Sequence, residues 1–349
     1  MHIPIYWAQA SRLLRLPDCK TYVRRFGWSN TDAADAQTMA DARLREAMRR
    51  LQLGEKLQIK ELKKGYNGGD GVPIREEIVL ITGESIITRN VYGALCLNTP
   101  NVMFVDIDFD ESPLQLHEGM RSWPHPWLLG AFVAILWVVA SIFMFPVPWT
   151  AGRSELLTAL WQLLGLGLCG FAVGFIAGKF WTNSITNSER DDHERQIQVN
   201  LLNHIRNVAT QNPHWMMRVY RTPAGYRVLM CHQTFQPEDP QVQYVFDKLK
   251  ADPIYVRMCH SQQCFRARVS PKPWRTDLNE RPLRKSWPIE SGQIEHRQKW
   301  IKKYELASAG YASCRFIEQL GSAKIDPTVA AVMRLHDDHS KALSDMPLA

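Results

Sequence analysis

The sequence lacks the dense, even-numbered set of cysteines that defines a disulfide-rich secreted domain. Seven cysteines are scattered over 349 residues. No CxxC pair occurs, and Cys231-His232 and Cys259-His260 with Cys264 fit no common zinc module. We therefore favour buried, reduced thiols in a cytosolic setting over a metal cluster.

We expect neither an N-terminal signal peptide nor disorder. Residues 1–7 contain no basic segment followed by an apolar one. Hydrophobic residues make up 45% and charged residues 22% of the chain, which is typical of globular proteins. We therefore expect folded domains, with any membrane targeting located inside the chain.

Charge is missing from two long central runs. Residues 127–145 and residues 156–178 contain none. A helix needs about twenty apolar residues to cross a bilayer, so the sequence predicts a transmembrane hairpin within residues 123–182, with the lipid bilayer as a partner. Because the connecting loop, residues 146–155, is too short for a domain, both soluble parts should lie on the same side.

Basic residues near the hairpin indicate which side that is. The loop carries Arg153, whereas the outer flanks carry Arg121, Lys179, Arg190 and Arg195. Since cytoplasmic flanks carry an excess of Lys and Arg, we expect a two-span inner (cytoplasmic) membrane protein with both soluble parts in the cytoplasm.

Three glycines in the second run are spaced four residues apart. Gly170, Gly174 and Gly178 form a doubled GxxxG, a pattern that lets another helix approach closely. The partner helix can be the other half of the hairpin or a second copy of the chain. Packing within the hairpin and homodimerisation both stay open.

The soluble parts carry the pattern of one interrupted α+β domain. The predicted order is strand 102–108, helix 189–210, strands 215–221 and 226–231, helix 241–250 and strand 264–269. This β-α-β-β-α-β order is that of the ferredoxin-like or RRM-like split βαβ sandwich, with the hairpin in its first crossover. Residues 1–122 and 183–290 would form its two halves, with helical additions at both ends, the second being a tail over 291–349.

Two carboxylates close the predicted strand 102–108. Residues i and i+2 of a strand point to the same face, so Asp106 and Asp108 can share one divalent cation such as Mg²⁺ or Mn²⁺. Acids at the end of a strand also commonly face solvent without a ligand. Both interpretations stay open from the sequence.

The positive charge of the chain, +7 overall, is concentrated in one segment. Residues 257–285 contain eight Lys or Arg residues and two acidic residues. Such density attracts phosphate groups. Phe265 and Trp274 lie among these cations, where they could stack on bases or act as core anchors.

Three segments together resemble the catalytic core of archaeo-eukaryotic primases and primase-polymerases. They are the DxD strand 102–108, the turn Arg-Thr-Pro-Ala-Gly-Tyr-Arg over 221–227, and the basic residues 265–275. The resemblance covers residues 102–275 without the hairpin and implies an RRM-like core that binds nucleotide or nucleic acid. Where that family has a histidine after the turn, this chain has Arg227, with His232 five residues later.

The resemblance also implies roles for individual residues. Asp106 and Asp108 would be catalytic metal ligands for Mg²⁺ or Mn²⁺, with Asp252 or Asp277 as the nearest counterpart of a third acid. The substrate and phosphate contacts would come from Arg227, His232, Arg266, Arg268, Lys272 and Arg275.

Three functions therefore follow from the sequence. The first is a membrane-anchored, metal-dependent nucleotidyltransferase. The second is a non-catalytic, membrane-tethered module that binds nucleic acid or protein, which Arg227 in place of histidine favours. The third is a membrane glycosyltransferase that holds a nucleotide sugar through its DxD motif.

Two smaller patterns have alternative interpretations. Glu76 and Glu77 could add ligands near the acids, but we favour ion pairs on a sheet edge. His336 and His339, three residues apart, could hold a metal, but we favour a solvated helical face.

Overall fold

The computed structural model describes residues 1–15, 20–57, 73–109, 125–144, 152–281, 283 and 287–349. It forms two compact units. One combines Met1–Phe109 with Leu202–Ala349, and the other comprises Asp110–Leu201. The two stretches of chain on either side of the apolar helices therefore share one folded body.

The first unit is a mixed α+β fold with antiparallel sheets. Its strands are β1 (Tyr6–Arg15), β2 (Lys20–Ser29), β3 (Glu77–Thr82), β4 (Ser85–Arg89), β5 (Leu95–Thr99), β6 (Phe104–Asp108), β7 (Met216–Thr222), β8 (Gly225–Met230), β9 (Phe265–Arg268) and β10 (Arg315–Gly321). Its helices are α1 (Ala33–Gln52), α4 (Pro240–Leu249), α5 (Pro253–Gln262), α6 (Ile294–Ser308) and α7 (Pro327–Ser340). The second unit holds α2 (Pro126–Met144) and most of α3 (Arg153–Gln211).

The strands form a hairpin and two four-stranded sheets. The first sheet has the order β10-β7-β8-β6 and the second has the order β3-β4-β5-β9. The predicted strands at 102–108, 215–221 and 226–231 thus share one sheet, but β9 pairs with β5 along its whole length. The α+β class is confirmed, whereas a single four-stranded split βαβ sheet is not what the hydrogen bonds show.

Backbone and tyrosine contacts hold the sheets together beside the end of β6. The backbone N–H of Asp252 donates to the Asp106 carbonyl at 2.9 Å, and the Tyr255 hydroxyl donates to the Phe104 carbonyl at 2.9 Å. The buried Tyr255 hydroxyl also accepts from the backbone N–H of Arg266 in β9 at 3.4 Å. The α5 segment therefore fixes the acidic strand β6 against the second sheet.

The turn between β7 and β8 needs its glycine for a different reason than the sequence pattern indicates. The pattern predicts a turn over 222–225 with glycine in a left-handed conformation. Gly225 instead lies against β6, where a Cβ atom would approach the Ile107 carbonyl oxygen to 1.9 Å. The glycine thus permits the close pairing of Gly225 with Asp108.

The prediction that the additions at both ends are helical is wrong in part. In the tail, β10 pairs with β7, and its side chains alternate between half-buried and exposed. At the other end, β1 and β2 form a hairpin that packs on α1 through Ala10, Val23 and Leu44. Neither segment has a strict period-two pattern, since Leu13-Leu14 and Phe316-Ile317 are adjacent apolar pairs, so the strand signal in the sequence is weak.

The apolar helices are long enough to cross a membrane. The candidate spans are Pro126–Phe143 and Leu157–Ser184, and only 6% and 11% of their residues are buried within the protein. This low burial argues against two core helices of a soluble domain. The predicted connecting loop, residues 146–155, lies mostly outside the described residues.

The glycine stripe on α3 faces α2 of the same hairpin. A Cβ atom on Gly174 would come within 2.7 Å of the Leu129 carbonyl oxygen, and one on Gly170 within 3.1 Å of the Ala134 Cα. Gly178 approaches Pro126 in the same way. This stripe therefore packs within the hairpin, and homodimerisation through it stays a prediction.

Gly174→Leu should destabilise the hairpin, because the added side chain meets the backbone of α2. Overpacking of this kind costs about 1–3 kcal/mol. Gly165→Leu on the same helix should cost much less, since a Cβ atom there meets nothing within 4 Å. Thermal unfolding of the full chain in detergent measures the difference, and equal stability of the two variants would contradict this packing.

Candidate functional site

A cavity of about 870 Å³ lies in the first unit, where the carboxyl end of β6 meets β9. Seven of the eight residues predicted to contact metal or phosphate line it: Asp106, Asp108, Arg227, Arg266, Arg268, Lys272 and Arg275. Glu76 and Asp252, which the sequence also singles out, line it too. The antiparallel pairing of β6 with β8 and the contact of β6 with β9 bring these distant residues together.

Asp106 and Arg227 form an ion pair at the base of the cavity. They are direct partners across β6 and β8, and the guanidinium donates to both carboxylate oxygens at 2.7 and 3.1 Å. Arg227 also donates to the Arg268 carbonyl at 2.9 Å, which ties the first sheet to β9. A bidentate pair of this geometry is stronger than an ordinary surface ion pair. We call this arrangement the clamp.

Arg266 likewise has a carboxylate partner. Its guanidinium contacts Glu76, which also accepts from the Thr88 hydroxyl at 2.8 Å. Arg266 and Glu76 are both buried. The ion pair predicted for Glu76 is confirmed, although it lies in the interior instead of on an exposed edge. Arg266 and Arg227 therefore have their charge balanced within the protein.

Three other cations of the cavity, Arg268, Lys272 and Arg275, have no carboxylate partner among the described residues. Among the described residues, none of the three side chains makes an ion pair or a hydrogen bond, and Lys272 Nζ lies 5.6 Å from the Trp274 ring centroid. Partial burial lowers the pKa of Lys272, and the charges of Arg268 and Arg275 lower it further. We call these residues the cation triad; their mutual repulsion makes the site favour an anion.

Asp108 is a cavity carboxylate whose side chain makes neither an ion pair nor a hydrogen bond among the described residues. Partial burial raises its pKa, and the charges of Asp106 and Asp252 raise it further against the opposing charges of Lys272 and Arg268. Asp252 caps α5, where it accepts from the backbone N–H groups of Ile254 and Tyr255.

In this conformation the cavity carboxylates are not arranged to bind Mg²⁺ or Mn²⁺. Arg227 occupies both oxygens of Asp106, and the Asp252 carboxylate serves as a helix cap. The described residues contain no group of three or more His, Cys, Asp or Glu side chains placed to hold a metal. A hard divalent cation prefers several free oxygen ligands. Metal ligation by Asp106 and Asp108 stays a prediction.

A buried polar network supports the clamp from behind. His336 Nε2 lies 3.4 Å from Arg227 Nη1 and 3.8 Å from Cys314 Sγ, and its Nδ1 lies 3.1 Å from Asp337. Asp337 in turn accepts from Arg218 at 2.7 Å. This network contacts Nη1 of Arg227, whereas Asp106 contacts Nε and Nη2.

The expectation of a solvated face is wrong for His336, which is fully buried, while His339 is exposed. Val329 and Val332 lie on the same face of α7 as His336, so the helical period turns that histidine inward.

Two residues predicted for the site are placed elsewhere. His232 does not line the cavity; it stacks on Trp215 at 6.3 Å, and burial lowers its pKa. Phe265 is fully buried in the core, whereas Trp274 is 52% exposed beside the cation triad. The stacking role considered for both aromatic residues is therefore available only to Trp274.

The sequence allows two interpretations of Arg89-Asn90 with Tyr92-Gly93, which precede the DxD strand: a place in the same cleft or a plain turn between strands. Asn90 and Tyr92 do line the cavity, as does Tyr255, which sequence reasoning missed. Tyr92 lies in the turn after β4, and its ring meets Trp274 edge-on. The contact between Tyr92 and Trp274 could not be predicted, because only the fold brings residues 92 and 274 together.

Asp106→Ala should destabilise the first unit, because it leaves the Arg227 guanidinium buried without a carboxylate. Breaking a buried pair costs about 3–5 kcal/mol, and we expect about 2–3 kcal/mol because Asp106 is 29% exposed. Adding Arg227→Met should recover part of the loss. Chemical unfolding of the full chain in detergent measures both values.

The Arg206–Glu318 pair provides the control for this prediction. It has a similar N–O distance of 2.8 Å, but Arg206 is 46% exposed and stays hydrated without its partner, so Glu318→Ala should cost less than about 1 kcal/mol. If Asp106→Ala were as mild as Glu318→Ala, the clamp would not be a structural element.

Comparison with protein-family models, curated proteins and solved structures finds no match for this chain. The resemblance to primases and primase-polymerases therefore stays a prediction.

Proposed function

We propose that the chain is a membrane-anchored module that binds a nucleotide or nucleic acid through phosphate groups in this cavity. The observation that carries the proposal is the cation triad. Arg268, Lys272 and Arg275 crowd together at one cavity without carboxylate contacts among the described residues. Phosphate oxygens are the anions that such a group of Arg and Lys binds best.

The clamp favours binding over turnover. Metal-dependent nucleotidyl transfer needs carboxylates that hold the cation between enzyme and triphosphate. Here Asp106 is neutralised by Arg227, so the acids offer one free carboxylate. We therefore place the non-catalytic module first and the nucleotidyltransferase second.

The fold supports the same class of function. In chain order, the first three strands of the proposed core are β6, β7 and β8. In the sheet, β8 lies between β6 and β7, as the third strand does in a split βαβ sheet. In this proposal β9 is the fourth strand, displaced from β6 by its pairing with β5. The two apolar helices would anchor the module, with both soluble parts in the cytoplasm.

The nucleotidyltransferase stays the second candidate because Asp108 is exposed beside Asp106. Incorporation of labelled nucleotide with Mg²⁺ or Mn²⁺ by the full chain, and its loss in Asp108→Asn, would favour it. Asp108→Asn is a better probe than a change at Asp106, because Asp108 takes no part in the clamp. A thermal shift confined to nucleotide sugars would favour the glycosyltransferase instead.

Lys272→Ala should weaken oligonucleotide binding and reduce its dependence on salt. Each lost phosphate contact lowers the slope of log affinity against log salt by about 0.7 for a single strand. Fluorescence anisotropy with the full chain in detergent or nanodiscs measures this slope.

Lys248→Ala is the matched control, since Lys248 Nζ also lies over an aromatic ring, 5.5 Å from the Tyr244 centroid, but does not line the cavity. Equal slopes for the Lys272 and Lys248 variants would contradict phosphate binding at the cation triad.

Asp108→Asn should strengthen oligonucleotide binding at neutral pH, because it removes a carboxylate that repels phosphate. In the parent chain, affinity should rise as pH falls through the raised pKa of Asp108, since protonation neutralises that group. The variant should lose this part of the pH dependence. Asp338→Asn, an exposed change on α7, should behave as the parent does. Weaker binding by Asp108→Asn would indicate a cation-mediated contact instead.

A further inference from the structure

Two exposed aromatic side chains stand beside the cation triad. Tyr92 is 38% exposed and Trp274 is 52% exposed, and their ring centroids lie 5.4 Å apart with an interplanar angle of 83°. In the sequence, Trp274 lies between Lys272 and Arg275. These two residues and Tyr92 line the cavity. Large aromatic rings are usually buried, so an exposed pair next to unpaired cations indicates a binding surface.

The loop that carries Tyr92 is held rigidly. The Asn90 side-chain oxygen accepts from the backbone N–H groups of Tyr92 and Ala94 at 3.0 and 3.1 Å. Gly93 has a positive φ of 96° and packs on Trp300 of α6, where a Cβ atom would come within 2.3 Å of the ring. The position of Tyr92 is therefore fixed before any ligand arrives.

The segment that carries Trp274 is fixed by the same helix. The Tyr304 hydroxyl donates to the Pro271 carbonyl at 2.7 Å and lies 2.7 Å from the Ser270 hydroxyl. Tyr304 stacks on Trp300, with ring centroids 5.3 Å apart. Because α6 supports both segments, the spacing between the aromatic pair and the cations is preorganised.

We propose that Trp274, with Tyr92 at its edge, stacks on an unpaired base of a single-stranded nucleic acid whose phosphates lie on Arg268, Lys272 and Arg275. This inference rests on the proposed phosphate binding and names its ligand more narrowly. Bases have open π-faces only when they are unstacked, and alternating aromatic and basic contacts are how proteins hold single strands. Bare phosphate or a lipid head group has no ring to place on Trp274.

The test uses the full chain in detergent or nanodiscs and fluorescence anisotropy at one salt concentration. The probes are a labelled single-stranded oligonucleotide of about ten nucleotides and an abasic strand of equal length. We expect the abasic strand to bind about tenfold more weakly. Trp274→Ala should weaken binding of the normal strand about tenfold and leave abasic binding unchanged.

Two further variants keep the test decisive. Trp274→Phe should retain most of the affinity, because it keeps an aromatic face. Tyr244→Ala removes an exposed aromatic ring that also lies beside a lysine but outside the cavity, and it should change nothing.

Equal affinity for the normal and abasic strands, or normal binding by Trp274→Ala, would overturn base stacking. Phosphate binding would then still stand if Lys272→Ala weakened both strands. Failure of the parent chain to bind either strand would overturn both proposals.

Discussion

The site depends on the clamp between Arg227 and Asp106. This pair joins β8 to β6, and through the Arg268 carbonyl it joins that sheet to β9 of the other sheet. The guanidinium is almost fully buried, so its charge must be compensated inside the protein. The clamp thereby uses the charge of Arg227 for structure, while the charges of the cation triad stay available to a ligand.

The division of charge follows from burial. Arg227 and Arg266 are both below 10% exposed and both have carboxylate partners, whereas the cation triad lies at the cavity and has none among the described residues. A buried cation without a partner would lower the stability of the fold by several kcal/mol, whereas a half-buried cation stays partly hydrated and can bind an anion from solvent. The basic segment identified in the sequence is thus part scaffold and part binding surface.

Much of this arrangement was predictable from the sequence, because the relevant signals are local. The two charge-free runs, the strand that ends in Asp106 and Asp108, and the hairpin over 215–231 all follow from hydrophobic pattern and turn residues. Which distant residues and strands pair could not be predicted from these local signals. The contact of Arg227 with Asp106, the pairing of β9 with β5 and the burial of His336 depend on long-range register and on packing. His232 was misplaced for the same reason.

The most direct test is an experimental structure of the full chain with a bound single-stranded oligonucleotide in the presence of Mn²⁺. The account predicts phosphate groups on Arg268, Lys272 and Arg275, a base against Trp274, and an intact contact between Arg227 and Asp106. Mn²⁺ bound between Asp106 and Asp108, with Arg227 displaced from its carboxylate, would contradict the account and identify the cavity as a metal-dependent active site.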